Sequence, residues 1–136
     1  MITITAFYEG DLHTMVTHGP SGARLTTDAP RDNEGLGESF SSTDLVAAAL
    51  ATCALTVMGI VARRKNLDIR GARASVQKEM SADSPRRIVR LPVHIEIPLP
   101  EDHPERAMLE AAARGCPVHY GLHPDIDRPM TFLWKG

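Results

Sequence analysis

From Leu45 to Ala62 the chain runs eighteen residues without a charge. No other stretch limits the possible folds as strongly. Ser42 is expected to cap a helix that continues to about Lys65, with Asp44 in its first turn and Arg63, Arg64 and Lys65 in its last. Those charges complement the helix dipole. A run of this length just reaches that of a membrane span. Alanine fills six of its positions, however, and two threonines, a cysteine and a glycine dilute the rest. A helix apolar all round but poor in Leu, Ile and Phe reads as one buried inside protein, not lipid. One layer of strands covers only one side of a helix about 36 Å long. A second copy of the chain would cover the other, so an intimate homodimer with this helix at its centre is expected, with no membrane.

The flanking sequence supplies the strands. Residues 2–8 alternate, with Ile2, Ile4, Ala6 and Tyr8 on one side. Residues 12–17 and 23–27 return across turns at Glu9-Gly10-Asp11 and at 18–22, giving an N-terminal β-meander. Residues 28–41, rich in Gly, Asp and Ser, form a loop of a length that is usually functional or disordered. Beyond the helix, which Asn66 ends, residues 69–80 and 89–97 read as a second hairpin around a turn at 81–85. Pro92, which has no N–H to donate, marks an edge or a bulge. Pro104 opens a second helix reaching Gly115, Cys116-Pro117 starts another short helical turn, and residues 130–134 form a last strand. The order is that of a single α+β domain over residues 1–136.

Charge and composition remove several function classes. Fifteen basic against seventeen acidic residues leave a net charge of −2, and only six residues are aromatic. Neither the basic footprint nor the stacking platform of a nucleic-acid binder is present. The N-terminus lacks a basic segment followed by an apolar one, and two cysteines do not make a disulfide scaffold. A reducing, cytoplasmic setting is expected, where a cysteine pair is structural, metal-binding or redox-active.

Cys53 lies mid-helix on an apolar stripe with Val46, Ala49, Leu50, Thr56, Val57 and Ile60. It is either a small core residue or a nucleophile in an apolar setting. Cys116, in Gly115-Cys116-Pro117-Val118-His119, stands at a helix end where backbone N–H groups can favour a thiolate. With His119 and His123 it also spells C-x2-H-x3-H, but structural zinc sites bring paired short spacings from two loops. No residues are therefore assigned to a metal or cofactor. A Cys116–His119 hydrolase lacks both good spacing and an orienting carboxylate. His13, His18, His94 and His103 read as surface residues. Glycine-rich phosphate loops, GxSxG and HExxH are absent.

The stretch GLGESFSSTDLVAAALATCALTVMGIVARR, followed by CPVHYGLHPDI, resembles the OsmC/Ohr family of osmotically inducible and organic-hydroperoxide-resistance proteins. The likeness extends over nearly the whole chain and is most specific from Ser41 to Cys53. It implies an OsmC-like fold in an intertwined homodimer with active sites at the subunit interface. It further implies a peroxidatic Cys53 and a resolving Cys116 that reduce organic hydroperoxides and are regenerated by an external thiol or dihydrolipoyl dithiol. Relatives of the Ohr type activate the thiolate with an arginine and a glutamate. The arginine maps best onto Arg24, with Arg31 second. The glutamate position holds Thr43 here, leaving Glu38 in the loop before the helix and Asp44 as the neighbouring carboxylates. Nine helical steps turn Asp44 about 180° from Cys53. This marks an OsmC-like branch rather than a true Ohr enzyme. The other reading is a non-catalytic module that holds an apolar small molecule at the interface.

Overall fold

The computed structural model describes all 136 residues, which form two compact units, residues 1–46 and 47–136. The first is a three-stranded antiparallel meander of β1 (Ile4–Gly10), β2 (His13–His18) and β3 (Arg24–Asp28), in that order. Asp11 and Leu12, both at positive φ (53° and 63°), make the two-residue turn between the first strands. This left-handed turn matches the twist of a hairpin. The second turn is tied by the Gly22 N–H to the His18 carbonyl and by the His18 N–H to the Ala23 carbonyl, each at 2.8 Å. Within this unit β1 has no core beneath either face. Phe7 (71% exposed) and Tyr8 (61%) point to opposite sides, and both are bare.

The loop after β3 is pinned at its base rather than slack. The Asp28 N–H reaches the Phe40 carbonyl at 3.0 Å, and the Gly37 N–H reaches the Ala29 carbonyl at 3.2 Å. Between them Arg31–Asn33 form one 3-10 turn. Gly35 passes so close to the Ala29 carbonyl that any Cβ there would overlap it, which is why the position is glycine.

Helix α1 runs from Ser42 to Arg64. Its cap is Ser41, not the expected Ser42. Ser41 Oγ accepts the Asp44 N–H at 3.1 Å, and the Asp44 carboxylate accepts the Ser41 N–H at 2.9 Å. This reciprocal pair satisfies two donors that would otherwise be orphaned at the helix start. Asn66 stops the helix as expected, at φ 56°. The Leu67 N–H returns to Ala62 O at 2.9 Å and the Asn66 N–H to Arg63 O at 3.1 Å, a Schellman closure.

In the second unit, Leu50, Ala51, Ala54, Met58 and Ala62 form the buried stripe of α1, while Thr52, Thr56 and Ile60 stay exposed. The two threonine hydroxyls donate back to their own helix, to Ala48 O at 2.9 Å and Thr52 O at 2.8 Å. The helix is therefore not covered all round within one chain.

The expected hairpin forms but is broken on both arms. Residues 69–80 yield β4 (Arg73–Val76) and β5 (Glu79–Met80), and residues 89–97 yield β6 (Ile88–Arg90) and β7 (Val93–Ile97). Pro92 causes the second break, as the bulge reading anticipated, because it cannot donate to a ladder. β7 is nonetheless a central strand. It pairs antiparallel with β4 and parallel with β8 (Met130–Trp134). Its inward residues Val93, Ile95 and Ile97 are at most 2% exposed.

The second helix, α2 (Arg106–Arg114), begins two residues after Pro104 and turns Leu109 and Ala113 into the core. Trp134 of β8 donates its indole N–H to Glu110 Oε1 at 3.1 Å, and Arg106 lies over the Trp134 ring. Gly115 ends α2, and α3 (Pro117–Gly121) follows at once.

Candidate active site

α1 and the α2–α3 junction bring two sulfurs together. Cys53 is half-buried, Cys116 is fully buried, and both are free thiols. They are near enough for the Cys53 sulfur to act on the Cys116 thiol. The reason Cys116 points here is local. It is the N-cap of α3, its sulfur accepts the His119 N–H at 3.4 Å, and Pro117 at the first helical position needs no partner.

Burial pushes the Cys116 thiol above its ordinary value of 9.0, and the neighbouring Cys53 sulfur adds to that push. The N–H groups of His119 and Val118 oppose it and do not win. Cys116 is thus held as a neutral S–H beside Cys53. Burial also lowers the His119 pKa, with Arg128 adding to the effect, so its ring is neutral at pH 7.

The raised Cys116 value makes stability pH-dependent. The folded chain holds this proton more tightly than the unfolded chain does. The contribution is complete below the unfolded thiol's ordinary value of 9.0 and is lost as pH rises through the higher folded value. Urea midpoints are expected to fall as pH rises above 9.0. Cys116→Ser should flatten that fall.

The remaining candidates lie in the first unit. Arg24 opens β3 opposite Thr17 with its side chain exposed. Asp44 is occupied by the helix cap. Glu38 donates its N–H to Asp28 Oδ2 at 2.9 Å, and its carboxylate lies 3.8 Å from His13 Nε2. His13 is therefore not the plain surface residue its sequence suggested. Its ring is 28% exposed and faces the buried carboxylate of Asp28. The zinc pattern C-x2-H-x3-H does not converge, since the His123 ring is 68% exposed and turned to Asp125. His119, set aside in the sequence as a weak hydrolase partner, has a buried Nδ1 with no hydrogen-bond partner.

Comparison with known proteins matches the OsmC-like protein family over residues 35–127. The chain is similar to a crystal structure from Psychrobacter arcticus, provisionally named an osmotic stress induced and detoxification response protein. That match has 42% identity and a TM-score of 0.90 over 97% of this chain and 96% of the other. A Legionella pneumophila organic hydroperoxide resistance protein OsmC shares the fold at 16% identity (TM-score 0.78, 98% and 96% covered). An OsmC-like protein of Mycoplasma pneumoniae does so at 18% (TM-score 0.83, 100% and 98% covered). A search of curated proteins found no significant match. The family match spans most of the chain, and the Psychrobacter structure aligns from end to end at 42% identity, so this chain belongs to the OsmC-like family.

Proposed function

We propose that the protein is a thiol-dependent peroxidase that reduces organic hydroperoxides in oxidative-stress defence. The observation that carries this reading is the juxtaposition of half-buried Cys53 with a buried Cys116 held in its protonated form. The Cys53 thiolate attacks the terminal peroxide oxygen. The O–O bond breaks, the alkoxide takes up a proton and leaves as alcohol, and Cys53 becomes a sulfenic acid. The Cys116 sulfur then attacks the Cys53 sulfur, water leaves, and a disulfide closes. A dithiol supplies two electrons by exchange and restores both thiols. Cys116 suits the resolving role because its proton is released only after the peroxide step. The apolar residues around Cys53 on α1 favour alkyl and aryl hydroperoxides over hydrogen peroxide. In this reading Arg24 is the cation that stabilises the thiolate, and Asp44 serves the helix.

The proposal includes a cytoplasmic homodimer. The bare Phe7 and Tyr8 of β1 and the exposed Thr52, Thr56 and Ile60 side of α1 support it, since these apolar and neutral side chains have nothing over them in one chain. Reduced protein treated with one equivalent of cumene hydroperoxide, then blocked and mapped by mass spectrometry, is expected to show an intrachain Cys53–Cys116 disulfide. Two unmodified thiols would overturn the peroxidase reading and favour a module that binds an apolar molecule.

A further inference from the structure

Away from the cysteines, one imidazole and two carboxylates converge. His13 and Asp28 are direct cross-strand partners on β2 and β3, and Glu38 returns beside them at the end of the pinned loop. One ligand atom from each lies within 4.8 Å of the others. His13 Nε2 stands 3.6 Å from Asp28 Oδ1 and 3.8 Å from Glu38 Oε2. The other ring nitrogen, Nδ1, lies 2.8 Å from the Asp11 carbonyl and must donate its hydrogen there, because a carbonyl only accepts. In the neutral ring, that places the Nε2 lone pair toward the two carboxylates. A backbone carbonyl holding the far nitrogen is the arrangement that orients metal-ligating histidines.

Asp28 supplies the independent observation. Its side chain is fully buried, Oδ2 is taken by the Glu38 N–H, and Oδ1 points into the cluster with no hydrogen-bond partner. A buried, desolvated carboxylate oxygen without a donor is costly unless a cation meets it. The competing arrangement is a protonated His13 paired to both acids. Charge-assisted hydrogen bonds of that kind close to about 2.7–2.9 Å, and both separations here are well beyond that. They lie nearer the roughly 3.4 Å expected between donors that each sit about 2.1 Å from one tetrahedral ion.

We propose that His13, Asp28 and Glu38 bind one divalent first-row transition ion per chain, going beyond the peroxidase reading and independent of it. The donor set selects the ion class. One imidazole and two carboxylates suit Zn²⁺ or Mn²⁺, whereas Ca²⁺ takes six or more oxygens and Mg²⁺ keeps most of its waters. Two carboxylates and one imidazole are a donor set suited to a dication. Three protein ligands leave the remaining positions to water, on the side where the Glu38 side chain is 61% exposed. An ion there would clamp both ends of the loop between Asp28 and Glu38 onto β2.

The test uses full-length protein carrying Cys53→Ser and Cys116→Ser, so that no thiolate competes and failure of the peroxidase reading leaves the result untouched. After chelator treatment, isothermal titration with Zn²⁺ and with Mn²⁺ is expected to give one site per chain. His13→Ala should weaken it by at least about 100-fold, beyond the 10- to 100-fold typical of outer-shell losses. Glu38→Gln, at an exposed position that folding tolerates, should weaken it by about 10-fold. A nitrogen-15 shift of His13 Nε2 on adding Zn²⁺ should accompany binding. Absence of stoichiometric binding, affinity unchanged in both variants, or a His13 ring doubly protonated at pH 7 would each overturn the site.

Discussion

Cys53→Ser is expected to lower hydroperoxide turnover by about 1,000-fold or more, leaving only background reaction, since removing a covalent nucleophile costs at least this much in other enzymes. The serine hydroxyl fits the same half-buried place on α1 and forms no anion at neutral pH, so the loss is chemical and the fold remains. Cys116→Ser should behave differently. Its first turnover proceeds at the wild-type rate, and the reaction then halts with one sulfenic acid per chain on Cys53. A dimedone adduct counted by intact mass, together with the amplitude of the alcohol burst, separates the two variants. Equal residual activity in both would contradict the assignment of roles. A Cys53→Ser protein that still consumes cumene hydroperoxide at the original rate would remove Cys53 from the chemistry.

Leu50→Ala carries the largest expected effect on stability. Leu50 is fully buried on α1, one turn before Cys53, and its loss leaves a cavity that close-packed neighbours fill only in part. The expected cost is about 2–5 kcal/mol, against about 0.5 kcal/mol or less for Asp102→Ala at an exposed turn. Urea unfolding at one fixed protein concentration makes the comparison, because a self-associating chain gains stability by mass action. A cost at Leu50 no greater than at Asp102 would mean that the burial of this helix face is wrongly drawn.

Much of this architecture is legible in the chain because the signals are local. The charge-free run announces α1, Asn66 tolerates the left-handed position that ends it, and alternation at Val93, Ile95 and Ile97 marks the core strand. The helix start was also written there. Asp44 stands three residues after Ser41, the spacing of a reciprocal cap, whereas Leu45 stands three after Ser42 and can return nothing. The parallel pairing of β7 with β8 has no such local mark, since it joins residues far apart in the chain. The same is true of the sulfur pair. Family resemblance suggested that Cys53 and Cys116 meet, but no spacing rule could bring a mid-helix residue to a junction sixty-three positions later. His13 reads as a surface residue for a related reason. Its partner Asp28 is adjacent only through strand register, and an isolated histidine between two turns looks solvated until that register is known.

Were Cys116 redox-active, the capping sulfur would tie redox state to local order. Cys116 holds the first turn of α3 by accepting the His119 N–H. If that sulfur is drawn into a bond with Cys53, the five residues from Pro117 to Gly121 lose the acceptor that starts their helix. In this picture each catalytic cycle is also a cycle of fraying and re-zipping. Solvent deuterium would enter the His119 amide faster in the oxidised chain than in the reduced one, and a reductase would meet a segment already loosened around the disulfide it must open.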